Sequence, residues 1–254
     1  MKQRFFTALA IILVVAVPVL FGGIPLKLLA LFIIVSTGYE SLRIQDNVKE
    51  WGIFAIIAIA CVLCARLIPE KWLFVYFALS VGFFWALPVF NEKFSVLNSN
   101  ACISYIVLFS LFNLSMDQIF ANHQYLWTIV FATYGSDTGA YFTGMKFGKH
   151  KMNPRISPKK SWEGFVGGAI FGFAISMGFS FMYWDMINPV VNTMLCLLCP
   201  VVAELGDLCF SAVKRYYKIK DFSNLLPGHG GVLDRVDSLL ANILLFGIVF
   251  HIFG

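Results

Sequence analysis

Long, nearly unbroken apolar runs alternate along this chain with short polar connections. Taking about 20 residues per membrane crossing, the runs fall at 5–21, 24–40, 51–68, 72–90, 94–113, 125–147, 162–184, 187–210 and 233–253. Each is too long and too continuously apolar for a barrel strand, and lipid offers the backbone no water to bond. The pattern therefore predicts an all-α, polytopic integral membrane bundle of about nine transmembrane helices. The first two runs are joined by "GGIP", which predicts a tight helical hairpin.

Composition agrees: 59% of residues are hydrophobic, 13% are charged and the mean hydropathy is +0.79, where a soluble domain carries about 25% charged residues. Charge then orients the bundle. With nine crossings, all but three of the 19 Lys and Arg fall on one side, the exceptions being Lys27, Arg66 and Lys71. That asymmetry places the N-terminus and two long basic loops in the cytoplasm and predicts a bacterial inner membrane protein. The opening "MKQRFFTALAIILVVAVPVLF" has the charged start of a secretory signal, but no A-x-A site follows and further spans come directly after. It reads as a retained helix. Six Cys include two C-x-x-C pairs, Cys61/Cys64 and Cys196/Cys199, both inside apolar runs. There Cys packs as a small hydrophobe rather than binding zinc.

Polarity is unevenly spread. Residues 1–120 read as a scaffold of plain apolar helices facing lipid, and residues 121–254 as the catalytic part with its cytoplasmic basic loops. An acid inside a span costs about 2.5–3.5 kcal/mol on insertion scales, so Asp137, mid-run in "TYGSDTGAYFTG", asks for a reason. In "VVAELGDLCFSAVKR", Glu204, Asp207, Ser211 and Lys214 lie at i, i+3, i+7 and i+10, on one helical face. Asp234 and Asp237, with Ser238, share a face at the start of the last run. Any one acid suits an ion pair that holds helices together. Five acids near one surface, beside eleven bases in two loops, suit a site where cation-bridged phosphates react.

Two loops sharpen this. In "SPKKSWEG", Pro158 disfavours helix and Ser161 is a candidate N-cap for a helix starting at Trp162. Lys159 and Lys160 precede that N-terminus, a ready phosphate site. Gly164, Gly168 and Gly172 then recur every fourth residue, as close helix packing demands. In "LLPGHGGVLDRVD" the glycines permit positive φ and close backbone approach, and a turn of exposed N–H groups holds anions. It is no Walker loop, since no G-K-[ST] follows.

The stretch "SAVKRYYKIKDFSNLLPGHGGVLDRVD", Ser211 to Asp237, resembles the signature of the phosphatidate cytidylyltransferases, or CDP-diacylglycerol synthases. "SDTGAYFTGMKFGK" and "ISPKKSWEG" are similar to two further blocks of that family. The resemblance implies that CTP and phosphatidic acid give CDP-diacylglycerol and pyrophosphate, in phospholipid biosynthesis. It implies Mg²⁺, and a possible second cation, on Asp207, Asp234, Asp237 and Asp137. Lys214 and Arg215 join the first three of these acids as catalytic groups. Lys159, Lys160, Ser211, Lys220, His229, Gly230 and Gly231 would bind substrate, with Arg235 an alternative ion-pair partner for the acids. It implies a homodimer among membrane lipids, and no role for nucleic acid. Two other readings stay open: a cytidylyltransferase for a different lipid phosphate, and a transporter using intramembrane carboxylates.

Overall fold

The computed structural model describes residues 14–45 and 48–254. Helix follows helix: α1 through residues 14–21, α2 (Gly23–Arg43), α3 (Val48–Ala65), α4 (Glu70–Phe90), α5 (Val96–Ala121) and α6 (Gln124–Phe147). A two-stranded hairpin, β1 (Lys151–Asn153) and β2 (Ser157–Ser161), interrupts them before α7 (Trp162–Ser180). A 3₁₀ turn (Phe181–Met186), α8 (Pro189–Tyr216) and α9 (Leu233–Phe253) complete the chain.

The architecture is that of an all-helical membrane protein. Among the described residues, six helices are long and apolar enough to cross a bilayer: α2, α4, α5, α7 with its 3₁₀ extension, α8 and α9. The expected count of nine is not reached on this measure. The run at 5–21 lies largely outside the described residues, and the apolar part of α3 is short, Gly52–Ala65. Helix α6 carries Ser136, Asp137 and Thr138 in its middle and is not among the six.

The chain divides into two compact units. The first holds the helices up to Asp117 together with the returning polar loop Asp221–Asp234. Its core is aromatic and aliphatic, with Ile34, Leu42, Phe84, Phe94, Ile106 and Phe112 essentially without exposure. Several of its buried polar side chains bond to backbone carbonyls, which suits a lipid surrounding. Tyr105 donates its hydroxyl to the Ile34 carbonyl at 2.7 Å and Ser99 to the Phe84 carbonyl at 2.7 Å. The Asn113 amide donates to the Val62 carbonyl at 2.9 Å.

The second unit runs from Gln118 to Lys220 and resumes from Arg235 to Gly254. Here α6 and α7 lie against each other with almost no side chain between them. A Cβ on Gly164 would stand 3.0 Å from the Ala140 carbonyl, one on Gly168 2.9 Å from that of Ser136, and one on Gly172 2.8 Å from that of Ala132. The four-residue glycine stripe is thus the α6-facing seam of α7, as its spacing predicts. Helix α7 starts where expected: Ser161 caps it, its hydroxyl accepting from Gly164 N at 3.2 Å. Asn188 caps α8 in the same way, accepting from Val190 N at 2.9 Å, with Pro189 at the first turn. Cys196 and Cys199 are fully buried within α8, and all six cysteines are free.

Side chains at the seam have nowhere to go, so Gly168→Leu will destabilise the unit by about 1–3 kcal/mol, the usual cost of overpacking. Thermal unfolding of the detergent-solubilised protein will show this as a lowered midpoint, while Gly178→Ala, where a Cβ meets nothing within 4 Å, will leave it unchanged. Equal midpoints for the two variants would refute close packing at Gly168.

Candidate active site

Helix α8 explains where the acids lie. Its 28 residues measure about 42 Å at 1.5 Å per residue, well beyond the roughly 30 Å of a bilayer's apolar core. Counted from Pro189, about 20 residues complete a crossing near Asp207. Glu204 and Asp207 therefore sit at the membrane edge, with Ser211, Lys214 and Arg215 on the turns beyond.

The second unit draws one sequence-predicted base onto these acids. Lys160 Nζ, on β2, stands 2.7 Å from Glu204 Oε2 and 2.6 Å from Asp207 Oδ2, and also donates to the Glu204 carbonyl at 3.3 Å. Glu204 is 3% exposed, so the ammonium is its counter-charge as well as its hydrogen-bond donor. Burial pulls the lysine's pKa down, but the Glu204 and Asp207 carboxylates outweigh it and hold the pKa above the ordinary lysine value. Ser211 donates its hydroxyl to Asp207 Oδ1 at 3.4 Å.

Beside this cluster lies a cavity of about 450 Å³ with two kinds of wall. Asp137, Lys159, Lys160 and Glu204 supply charge, while Tyr141, Met145 and Phe165 supply apolar surface. The hairpin that presents both lysines is fastened at its base. Glu163, in the first turn of α7, accepts from the backbone N–H groups of Lys149 and His150 at 3.2 Å each. Its carboxylate also stands 2.6 Å from His150 Nδ1. Sequence reading passed over this clamp. Its signal was an acid in the first turn of a capped helix, next to a basic loop.

The remaining bases close the end of α8. Lys214 is buried, 8% exposed, and Arg215 is exposed, donating to the carbonyls of Ile156 at 3.2 Å and Ile219 at 3.1 Å. Arg215 thereby ties the hairpin to the helix end. Ile219 N donates to the Lys214 carbonyl at 2.9 Å, and Lys218 takes a left-handed conformation, φ 55°, at a position where glycine is the usual helix stop. Lys220 is exposed. Asp237 is buried in this unit, 7% exposed.

The first unit holds the glycine loop. Gly228 and Gly230 have φ of 77° and 87°, which only glycine adopts without strain. The turn closes through Leu226 N to the Gly230 carbonyl and His229 N to the Leu226 carbonyl, both 2.8 Å. Asp234 Oδ2 accepts from Phe222 N at 2.8 Å and Gly231 N at 3.0 Å, so this candidate metal ligand also folds the loop. A fully buried acid absent from the sequence reading, Glu40, bonds to the same loop.

By donor type, the carboxylates of Asp137, Asp207, Asp234 and Asp237 fit a hard divalent cation such as Mg²⁺. Among the described residues no three His, Cys, Asp or Glu are gathered closely enough to form a coordination group. Lys160 lies against the Glu204/Asp207 pair instead.

Carboxylates and lysines at the edge of an apolar helix bundle, with a half-apolar cavity beside them, define a membrane enzyme that acts on phosphates. The chain belongs to the cytidylyltransferase family, whose model matches residues 2–253. It is similar to a phosphatidate cytidylyltransferase of Pseudomonas aeruginosa, 34% identical over 271 residues, covering 97% of this chain and 95% of that one. A Staphylococcus haemolyticus phosphatidate cytidylyltransferase is 29% identical over 259 residues, 98% of each chain. The likeness to one of Bacillus subtilis is higher, 42%, but runs over 121 residues, 46% of this chain and 45% of that one.

Lys160→Met will strand two acids and destabilise the fold by about 3 kcal/mol, as breaking a buried ion pair does. Adding Glu204→Gln and Asp207→Asn will restore most of that loss in a thermal melt. A Lys160→Met protein as stable as the parent would overturn the counter-charge role.

Proposed function

We propose that this chain is a phosphatidate cytidylyltransferase, transferring CMP from CTP to phosphatidic acid to give CDP-diacylglycerol and pyrophosphate. The observation that carries the reading is a cavity lined both by charged residues, Asp137, Lys159, Lys160 and Glu204, and by apolar ones, Tyr141, Met145 and Phe165, a mixture that suits a lipid phosphate, and the full-length matches to proteins of that name support it.

A phosphate oxygen of the lipid attacks the α-phosphorus of CTP. A new P–O bond forms, the bond between the α-phosphorus and the bridging oxygen breaks, and pyrophosphate leaves with that electron pair. The attacking oxygen is already anionic, so no strong base is needed. The protein's task is positioning and neutralisation of charge. In the second unit Lys159, Lys214, Arg215 and Lys220 hold substrate phosphates; in the first, His229 and the Gly230 backbone do so, the Gly231 N–H being already given to Asp234. Ser211 supports Asp207. Lys160 balances the acids beside the lipid phosphate. Asp207, Asp237 and Asp137 in the second unit, and Asp234 in the first, would hold Mg²⁺, which when bound would supply positive charge to the phosphates and the departing pyrophosphate.

In this reading all nine helical segments cross the bilayer, residues 1–120 forming the lipid-facing scaffold and 121–254 the catalytic part. The basic loops face the cytoplasm, the membrane is the bacterial inner membrane, and the enzyme works as a homodimer.

Asp207→Asn and Asp234→Asn will each reach the membrane folded and lose at least about 10²-fold in kcat, since each removes a ligand for the cation that would neutralise the anionic transition state. Radiolabelled CTP incorporation into lipid measures this. Near-normal turnover in both would sink the assignment. Lys159→Ala will instead raise KM for a phosphate-bearing substrate, and unchanged KM values for CTP and phosphatidate would exclude it from phosphate binding.

A further inference from the structure

We infer that Glu40 is a positioning residue for the loop that ends in Asp234, an inference that rests on the proposed transferase reading. Glu40 and the loop it meets both lie within the first compact unit. Helix α9 begins at Leu233 after Gly231 and Val232, and neither carries a side chain that could accept from the helix's first N–H groups. The acceptor comes from a helix some 190 positions earlier. Glu40 Oε1 accepts from Val232 N at 2.9 Å and Oε2 from Leu233 N at 2.7 Å. Oε1 also accepts from the Ser223 hydroxyl at 2.6 Å.

One carboxylate thus grips both ends of the loop. It is wholly buried, with 0% exposure, so three donors and the positive end of α9 replace the water it has lost. Gly231 is part of the same device. A Cβ there would stand 2.7 Å from both Glu40 oxygens, so any side chain at 231 would push the carboxylate away. The second of the two adjacent glycines is therefore accounted for by Glu40, not by φ.

The consequence reaches Asp234. Its Oδ2 takes Phe222 N and Gly231 N, residues that flank the three atoms Glu40 holds. Glu40 and Asp234 thus alternate along one ring of hydrogen bonds, and the direction of the Asp234 carboxylate follows from where Glu40 pins the backbone. A cap serving stability alone would need only the helix N–H groups. The added bond to Ser223 fixes the far side of the loop as well.

The test uses full-length enzyme purified in detergent, with CTP, phosphatidate and Mg²⁺, comparing Glu40→Ala, Glu40→Gln, Gly231→Ala and Asp234→Asn. Thermal stability of each sample is measured alongside, so that rates refer to folded protein. Glu40→Ala will lose about 10²-fold in kcat, the scale set by a displacement of about 1 Å at a reacting centre. Its KM for CTP will rise far less than kcat falls, since only His229 of the phosphate-binding bases lies on this loop, and Lys159, Lys214, Arg215 and Lys220 lie outside it. Glu40→Gln keeps an acceptor oxygen at the helix N–H groups and will recover most of the rate. Gly231→Ala will fall towards Glu40→Ala, and it decides the matter should Glu40→Ala not fold. Parental kcat per folded molecule in Gly231→Ala, and in Glu40→Ala where it folds, with Asp234→Asn inactive, would overturn the inference while leaving the transferase reading intact. A fully active Asp234→Asn would remove the catalytic loop reading and the inference together.

Discussion

The candidate site depends on the placement of one ammonium group, that of Lys160, between Glu204 and Asp207. Glu204 is buried and Asp207 only partly exposed, so their charges need a partner in place. Lys160 meets one oxygen of each acid within 2.7 Å. To bring it there, β2 must leave the hairpin at a fixed angle and α7 must start at Trp162. The Ser161 cap and the Glu163 clamp on Lys149 and His150 enforce both. The same hairpin brings Lys159 and Lys160 to the cavity, which α6 lines with Asp137 and Tyr141, α7 with Phe165 and α8 with Glu204.

Close helix packing supplies the rigid frame. With Gly164, Gly168 and Gly172 on the seam, α6 and α7 meet backbone to backbone, where apolar side chains alone gain little, since lipid is as apolar as they are. Asp137 follows Ser136, whose carbonyl faces Gly168 on that seam, so the close packing fixes the backbone that carries it. Separately, in the first unit, a second buried acid is handled by backbone donors instead of a cation: Glu40 closes on the start of α9. The two acids show two solutions to one electrostatic problem.

Much of this was legible in the chain. Apolar run length located every helical segment in the described residues, and local chemistry placed the α7 start, the glycine seam and the left-handed glycines at 228 and 230. What escaped depends on partners distant in sequence. Nothing near Lys160 reveals that Glu204 and Asp207, more than forty positions on, will take its charge. Glu40 lies near the end of a span beside Arg43, where an acid looks like ordinary surface polarity, and its partners begin at Ser223. The β1–β2 hairpin is only eight residues of strand, rich in Lys, Ser and Pro and lacking apolar alternation, so no periodicity announces it. The number of crossings is a third case: α6 is helical but polar in its middle, which is where its chemistry lies.

The central claim is that a cytidylyl group passes from CTP to a lipid phosphate on this chain. It is tested most directly by offering the detergent-purified protein phosphatidic acid with CTP, ATP, GTP and UTP in parallel, with and without Mg²⁺. A phosphatidate cytidylyltransferase will give CDP-diacylglycerol and pyrophosphate in equal amounts from CTP alone, with product lost when a chelator is added. No lipid product from any nucleotide, in a folded sample, would contradict it.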